Sequence, residues 1–366
     1  MRMAVTWVRG LAGALSAIWL CTAVWAQPVP ANVAVPFYTP DHFVQGLYRG
    51  ALAPRAKAMA QEGAALAAAL RGYCAMPPAQ AQAAIAAVRV AWADAAQRWD
   101  GLSAVAVGPV LSRRTQRQID FTPTRPALIE RAIQAAPASA ADMERVGTPA
   151  KGFPALEWLL WTQAVQPATP ACQYAVQVAT DLAREADALG AAFTTDAARD
   201  WSDEDSTAAM GEVINQWVGG LERLRWAQME KPLREAQSKN SGEAQSRKPT
   251  APQFPRLASG QTAAGWTAQW EAISAVAIAR TATLPQPGTR LVPLETYLRG
   301  RGLNPLADKL RQAVQRVDQT MLALKPASAA SVLASARALS ALKRLAEAEL
   351  APALQVNIGF SDADGD

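Results

Sequence analysis

The chain has 366 residues, half of them hydrophobic and 18% charged, with a mean hydropathy close to zero. That is a globular composition with ample core and length enough for two domains. Its formal charge of +5 falls to +3 once Arg2 and Arg9 leave with a leader, too little and too dispersed for a nucleic-acid footprint.

Residues 1–26 read as a secretory signal peptide. Arg2 and Arg9 precede an apolar run from Leu11 to Val24, and Val24-Trp25-Ala26 gives a small-x-small cleavage pattern before Gln27. Trp19 and Leu20 before Cys21 disfavour lipidation, and no later stretch approaches the roughly 20 apolar residues of a spanning helix. The mature chain is therefore expected in the periplasm, without a transmembrane segment. It keeps two cysteines, Cys74 and Cys172, neither with a second cysteine or a histidine at ligand spacing. In an oxidising compartment such a pair predicts a structural disulfide.

The mature sequence is Ala-rich and lacks alternating Val/Ile/Thr runs, so helices are predicted throughout. Asp41 is expected to cap a first helix reaching about Arg71, bent or interrupted near Gly50 and Pro54. A second, from about Ala79 to Asp100, sets Ile85, Val88, Trp92 and Trp99 on a core face. RRTQRQIDFTPTRP then reads as an irregular segment packed on a bundle, followed by a helix near Arg125 to Ala136. KGFPALEWLLW, residues 151–161, opens a short helix at Pro154 with one carboxylate, Glu157, on an apolar face. Pro170 starts a long helix through Phe193, and Ser202 with Asp205 resembles a capping box for a helix reaching about Glu230. Residues 236–253 have linker composition and are expected to form a mobile loop. Helices near Gln261 to Arg280, Asn304 to Leu324 and Ser328 to Leu350 complete an all-α chain of two antiparallel bundles, 27–168 with the motif helix and 169–366.

What is absent bears on chemistry first. His42 is the only histidine, which rules out a two-histidine zinc helix and leaves any Ser or Cys triad dependent on that residue. Gly219-Gly220 sits within or beside a predicted helix, so it does not read as a phosphate loop. Three features remain. Glu157 is expected either at the bundle surface, or paired with an arginine such as Arg113, Arg114 or Arg117, or in a functional role. His42 reads first as a helix-start residue. The C-terminal SDADGD alternates aspartates as a calcium loop begins, but the completing acid is missing, and a solvated tail is the simpler expectation.

The segments VRVAWADAAQRWDGLSAVAVGP, RQIDFTPTRPALIERA, KGFPALEWLLW, ACQYAVQVATDLARE, FPRLASGQTAAGW and NIGFSDADGD, in that order, resemble the imelysin-like proteins. These are secreted bacterial helical proteins related to an insulin-cleaving protease and to iron-uptake components. The metal-associated form of their motif is Gly-x-His-x-x-Glu, which puts imidazole and carboxylate on one helical face. Gly152 and Glu157 match it, whereas Pro154 stands at the histidine position. Proline is tolerated in a first helical turn and coordinates nothing.

The resemblance implies a binding or accessory protein linked to uptake of iron or another divalent or trivalent metal, with a cleft near Glu157. Arg117 and Asp120 are candidate neighbours, and Glu157 with His42 are candidate metal ligands. Oxygen ligands would favour Fe(III), Mn, Mg or Ca. Two alternatives are carried. One is a metallopeptidase of the imelysin type, thin in ligands and in a general base; the other is a metal-free module that binds an envelope protein.

Overall fold

A computed structural model describes residues 34–241 and 250–359, with the side chains of residues 240 and 241 left undescribed. The expected signal peptide, the middle of the expected linker and the SDADGD ending lie outside the described residues. Among these there are helices, turns and loops and no strand.

The first helix is capped by Thr39 and not by Asp41. Thr39 Oγ1 accepts from His42 N and His42 Nδ1 accepts from Thr39 N, both at 3.3 Å, closing a capping box around α1 (Pro40–Leu47). A wide π turn (Tyr48–Leu52) carries the chain without a break into α2 (Ala53–Ala75). Pro54 brings no N–H and a ring that crowds the preceding turn, and the widened turn absorbs both. The predicted interruption is thus a local bulge.

α3 (Ala81–Ser103) buries Val88, Trp92 and Trp99 as expected, with Ile85 partly buried at its margin. The irregular segment follows as two short helices, α4 (Pro109–Ser112) and α5 (Thr115–Ile119). Then come α6 (Pro126–Ala135), α7 (Ala140–Arg145) and α8 (Gly152–Glu157). α9 (Pro170–Ala198) and α10 (Asp203–Glu222) start at Thr169 and Ser202, whose side chains accept from Cys172 N and Asp205 N. The reciprocal half of a box at Ser202 is not formed, because Asp205 pairs with Arg199 at 2.7 Å.

From α10 a further π turn (Arg223–Glu230) leads into α11 (Lys231–Ser241). Residues 236–241, expected as loop, are therefore helical, anchored by Leu233 and Ala236, which are buried. α12 (Thr262–Ala277) is followed by α13 (Leu294–Gly300), inside a stretch expected to be a Pro/Gly loop. α13 forms because Leu294, Tyr297 and Leu298 are buried, and its Glu295, fully enclosed, is held by Arg311 at 2.6 Å and Arg299 at 2.8 Å. α14 (Asn304–Leu322), α15 (Ala329–Leu345) and α16 (Ala351–Ala353) end the fold.

The core centres on α2, which lies along both α3 and α9; α12 packs on α3, α8 on α9 and α3, and α14 on α15. Trp92, Trp99, Trp217 and Trp266 are fully enclosed in it. Cys74 and Cys172 form the expected disulfide between α2 and α9, with Cα atoms 5.7 Å apart. No helix among the described residues is long and apolar enough to cross a membrane.

Candidate functional site

The motif helix is placed by backbone contact. Gly152 adopts φ +78°, and a Cβ there would lie 2.2 Å from the Ile119 carbonyl oxygen, so only glycine lets α8 start against the end of α5. Pro154 occupies the first turn, where its missing N–H costs nothing. Phe153 meets Trp92 edge-on at 6.2 Å, and Trp92 meets Trp161 at 5.0 Å. Glu157 is thereby held at the inner end of α8, 8% exposed.

Its partner is a serine on the loop before α12. Glu157 Oε1 accepts from Ser259 N at 2.8 Å and from Ser259 Oγ at 2.7 Å. That loop is tightly wound: Arg256 has φ +58° and Gly260 φ +73°, Gln261 N donates to Arg256 O at 3.0 Å, and Thr262 Oγ1 donates to Pro255 O at 2.7 Å. The left-handed backbone at Arg256 is uncommon for a side chain with a Cβ, and the buried contacts of that side chain compensate for it.

The Arg256 guanidinium is buried among aromatic rings and acids. It lies 5.2 Å from the Phe153 ring centre and 5.6 Å from that of Trp92. Its Nη1 is 2.9 Å from Asp120 Oδ1, and its Nη2 donates to Asp120 Oδ2 at 2.9 Å and to Asp100 Oδ1 at 3.2 Å. Asp120 Oδ2 also accepts from Trp99 Nε1 at 2.9 Å. Burial alone would pull the arginine down, but the charges and hydrogen bonds of Asp120 and Asp100 raise it above its ordinary value. Asp100 is the looser partner. Burial pushes its carboxyl up to about 6 against the lowering effect of Arg256, and the charges of Asp120 and Glu157 add to the rise.

Beside this cluster is a cavity of about 110 Å³, lined among others by Asp100, Asp120, Arg223, Arg256, Thr262 and Trp266. Arg223 donates through Nη2 to the Ser103 and Ala104 carbonyls, at 2.9 and 3.1 Å, at the C-terminal end of α3. A cation is favoured at that end of a helix. Burial lowers its guanidinium to about 10. α10 reaches this end of α3 because Gly220 has no Cβ, which would stand 2.2 Å from the Ala104 carbonyl oxygen.

The candidate residues from sequence separate as follows. Gly152, Pro154, Glu157 and Asp120 fall in one neighbourhood. Arg117 is exposed on α5 and forms no ion pair among the described residues, and Arg113 pairs with Glu185 at 2.6 Å, so neither meets Glu157. His42 spends its Nδ1 on the α1 cap. Asp100, Arg223, Arg256 and Ser259 carry the site without having been singled out. FPRLASGQTAAGW contained two of them, but no local spacing rule links Glu157 to Ser259, 102 residues on, or Asp100 to Arg256, 156 residues on.

These groups do not fit a metal ion. A bound cation needs several free donors at once. Glu157 Oε1 already takes two hydrogen bonds, Asp120 and Asp100 face a guanidinium, and the motif's imidazole position holds proline. Among the described residues, no three His, Cys, Asp or Glu side chains are grouped to hold one. Arg256 supplies the positive charge that these acids require.

The sequence model of the Imelysin family (Peptidase_M75) matches residues 52–353. Among solved structures, the fold is similar to an imelysin-like protein from Psychrobacter arcticum, with a TM-score of 0.71 at 18% identity, covering 90% of this chain and 100% of that one. It is also similar to an iron-regulated protein A precursor from Parabacteroides distasonis, with a TM-score of 0.65 at 14% identity, covering 84% and 93%. No curated protein matches the chain.

Proposed function

The chain belongs to the imelysin family, and from that premise we propose that it is a periplasmic binding or accessory protein connected with iron uptake, working without peptidase chemistry and without an ion held on its signature motif. The observation that carries this reading is the Glu157 to Ser259 latch beside the Arg256 pairs: each carboxylate that a hydrolytic metal centre would draw on is already engaged by a protein donor or a guanidinium. A water-activating site needs an open coordination position and a base, and the lone histidine is engaged at a helix cap. The iron connection is supported at the level of the family and of the iron-regulated neighbour. The leader-like residues 1–26 support export.

The test is a deletion strain grown with and without iron limitation. The deletion slows growth only when iron is limiting, and both the wild-type gene and the Glu157→Gln form restore it. Purified protein from the native envelope carries well under one metal ion per chain. A stoichiometric ion that disappears in Glu157→Gln, or proteolysis that a chelator stops, overturns the reading.

A further inference from the structure

A larger cleft, of about 410 Å³, opens between α2, α3 and α12, and none of its lining residues belongs to the Arg256 cluster. Four charged side chains line it: Arg55 from α2, Asp94 and Arg98 from α3, and Glu271 from α12. All four are open to it, Arg55 partly buried and the other three exposed. None of them forms an ion pair or a side-chain hydrogen bond among the described residues. Asp94 and Arg98 stand one helical turn apart, a spacing at which such side chains readily pair, yet they remain separate. Burial pulls the Arg55 guanidinium below its ordinary value, and Glu271 offsets this as a charge without pairing with it. A guanidinium that has lost part of its hydration and gained no partner is a receiver for an anionic oxygen.

Size and charge narrow the occupant. Between the charged groups the wall is low, because Ala58, Gly101 and Ala268 put nothing longer than a methyl group into the cleft. Its volume lies at the lower end of the roughly 300–1,000 Å³ of small-molecule sites, room for a molecule on the order of ten non-hydrogen atoms. A polyanion such as a phosphoester would gain two guanidiniums but meet two carboxylates, and a bare cation would meet the reverse. A molecule with one ionised carboxylate and one ammonium suits both signs. The guanidinium fork takes a carboxylate in bidentate geometry, and an ammonium donates up to three hydrogen bonds that a carboxylate accepts. Arg55 and Glu271 interact by charge without touching, so a carboxyl and an amine borne on one carbon would bridge them.

We propose that this cleft binds a free α-amino acid as its zwitterion, with the carboxylate on Arg55 and the ammonium on Glu271. Asp94 and Arg98, on α3, add one charge of each sign at the rim and so penalise a ligand of either net charge. The site is separate from the motif helix and its role goes beyond the accessory function in iron uptake.

The full mature chain is screened against the individual L-amino acids, each at about 10 mM, and every one that raises the melting temperature by at least about 2 °C is titrated by calorimetry. The expected result is at least one amino acid bound at one site per chain with a Kd below about 1 mM. Its N-acetyl derivative, which lacks the ammonium, and its primary amide, which lacks the carboxylate, each bind at least about tenfold more weakly. Arg55→Gln weakens binding about 10- to 100-fold, the loss of hydrogen bonds to a charged group. Glu271→Gln weakens it at least about threefold, less because Glu271 is exposed. Circular dichroism establishes that each variant is folded, and Glu271→Gln carries the test alone if Arg55→Gln is not. No saturable binding by any amino acid, either derivative binding as tightly as its parent, or undiminished binding in a folded variant overturns the proposal. The growth experiment on iron is independent: it stands if no amino acid binds, and amino acid binding is measurable on purified protein if the iron phenotype fails.

Discussion

A double-mutant cycle on Glu157 and Ser259 separates a structural latch from a ligand-holding carboxylate. Glu157 Oε1 accepts two hydrogen bonds, from Ser259 N at 2.8 Å and Ser259 Oγ at 2.7 Å. Bonds to a charged group contribute about 1.5–3 kcal/mol each, but Ser259 is only partly buried and its amide can turn to water, so Glu157→Ala is expected to cost about 2–4 kcal/mol. Ser259→Ala removes the hydroxyl, which lies 2.7 Å from Glu157 Oε1 and 3.0 Å from Arg256 O, and should cost about 1 kcal/mol. In the Glu157→Ala background the hydroxyl keeps only Arg256 O as acceptor, so the same serine change should cost about half as much, which leaves a coupling of about 0.5 kcal/mol. For a chain of this size about 2 °C of melting temperature follows each kcal/mol, so calorimetry should show Glu157→Ala melting about 4–8 °C lower. Chelator should leave the wild-type melt unchanged. If the serine change costs as much with Glu157 absent as with it present, or if chelator reproduces the Glu157→Ala loss, then Glu157 is not held by Ser259 and the latch is wrong.

Other consequences of the geometry are open to direct measurement. Gly152→Ala forces a Cβ to within 2.2 Å of the Ile119 carbonyl at φ +78°, and should lower stability by at least about 3 kcal/mol; denaturant unfolding with a loss under about 1 kcal/mol would show that α8 does not need that approach. Reducing the Cys74 to Cys172 bridge, which spans 98 residues, should cost roughly 4–5 kcal/mol in the chain-entropy model, read as the difference in unfolding free energy with and without reductant. Asp100, whose folded carboxyl is pushed from the ordinary 3.8 up to about 6, makes a contribution that is full below about pH 4 and is lost as the pH rises through about 6. That decline reaches up to about 3 kcal/mol. Asp100→Asn should flatten this part of the stability profile between pH 4 and 7; an equally steep decline in the variant would assign the proton to another group.

The sequence carried the fold further than the site for a physical reason. Helix faces and caps are written locally: Val88, Trp92 and Trp99 recur at helical spacing, Pro170 and Ser202 mark helix starts, and all behave accordingly. The disulfide was legible because compartment and count left two cysteines only one partner each. α13 was missed because its buried Glu295 looks like a surface acid until Arg311, 16 residues further on, is seen to pair with it. The same holds for the site. Gly152, Pro154 and Glu157 announce a motif helix, but the partner of Glu157 lies in a loop reached only after the chain has run through α9, α10 and α11, just before α12. A buried ion pair between Asp100 and Arg256 has no local spacing, so no pattern in a single sequence could have proposed it.

Replacement of the motif histidine by proline follows the same logic as the position of Arg256. Three acids, Asp100 and Asp120 beside Arg256 and Glu157 beside Ser259, lie near the junction of α3, α5 and α8, and buried acids must be neutralised by protons, a cation or hydrogen-bond donors. A metal ion could do so only with further ligands, and α8 carries Pro154 at the motif position where an imidazole would stand. The α12 approach loop supplies the substitutes: Arg256 pairs two of the acids at 2.9 and 3.2 Å, and Ser259 serves the third. The match remains incomplete at Asp100, the more distant partner, whose carboxyl therefore titrates near 6. It is incomplete again at the cavity wall, where Arg223 carries a charge with no acid against it among the described residues. A junction built only for stability would gain by closing these two positions with apolar side chains. Both positions, Asp100 on α3 and Arg223 in the turn after α10, lie at the edge of one cavity, so the polar groups left least matched by the helix junction are gathered on one side of it.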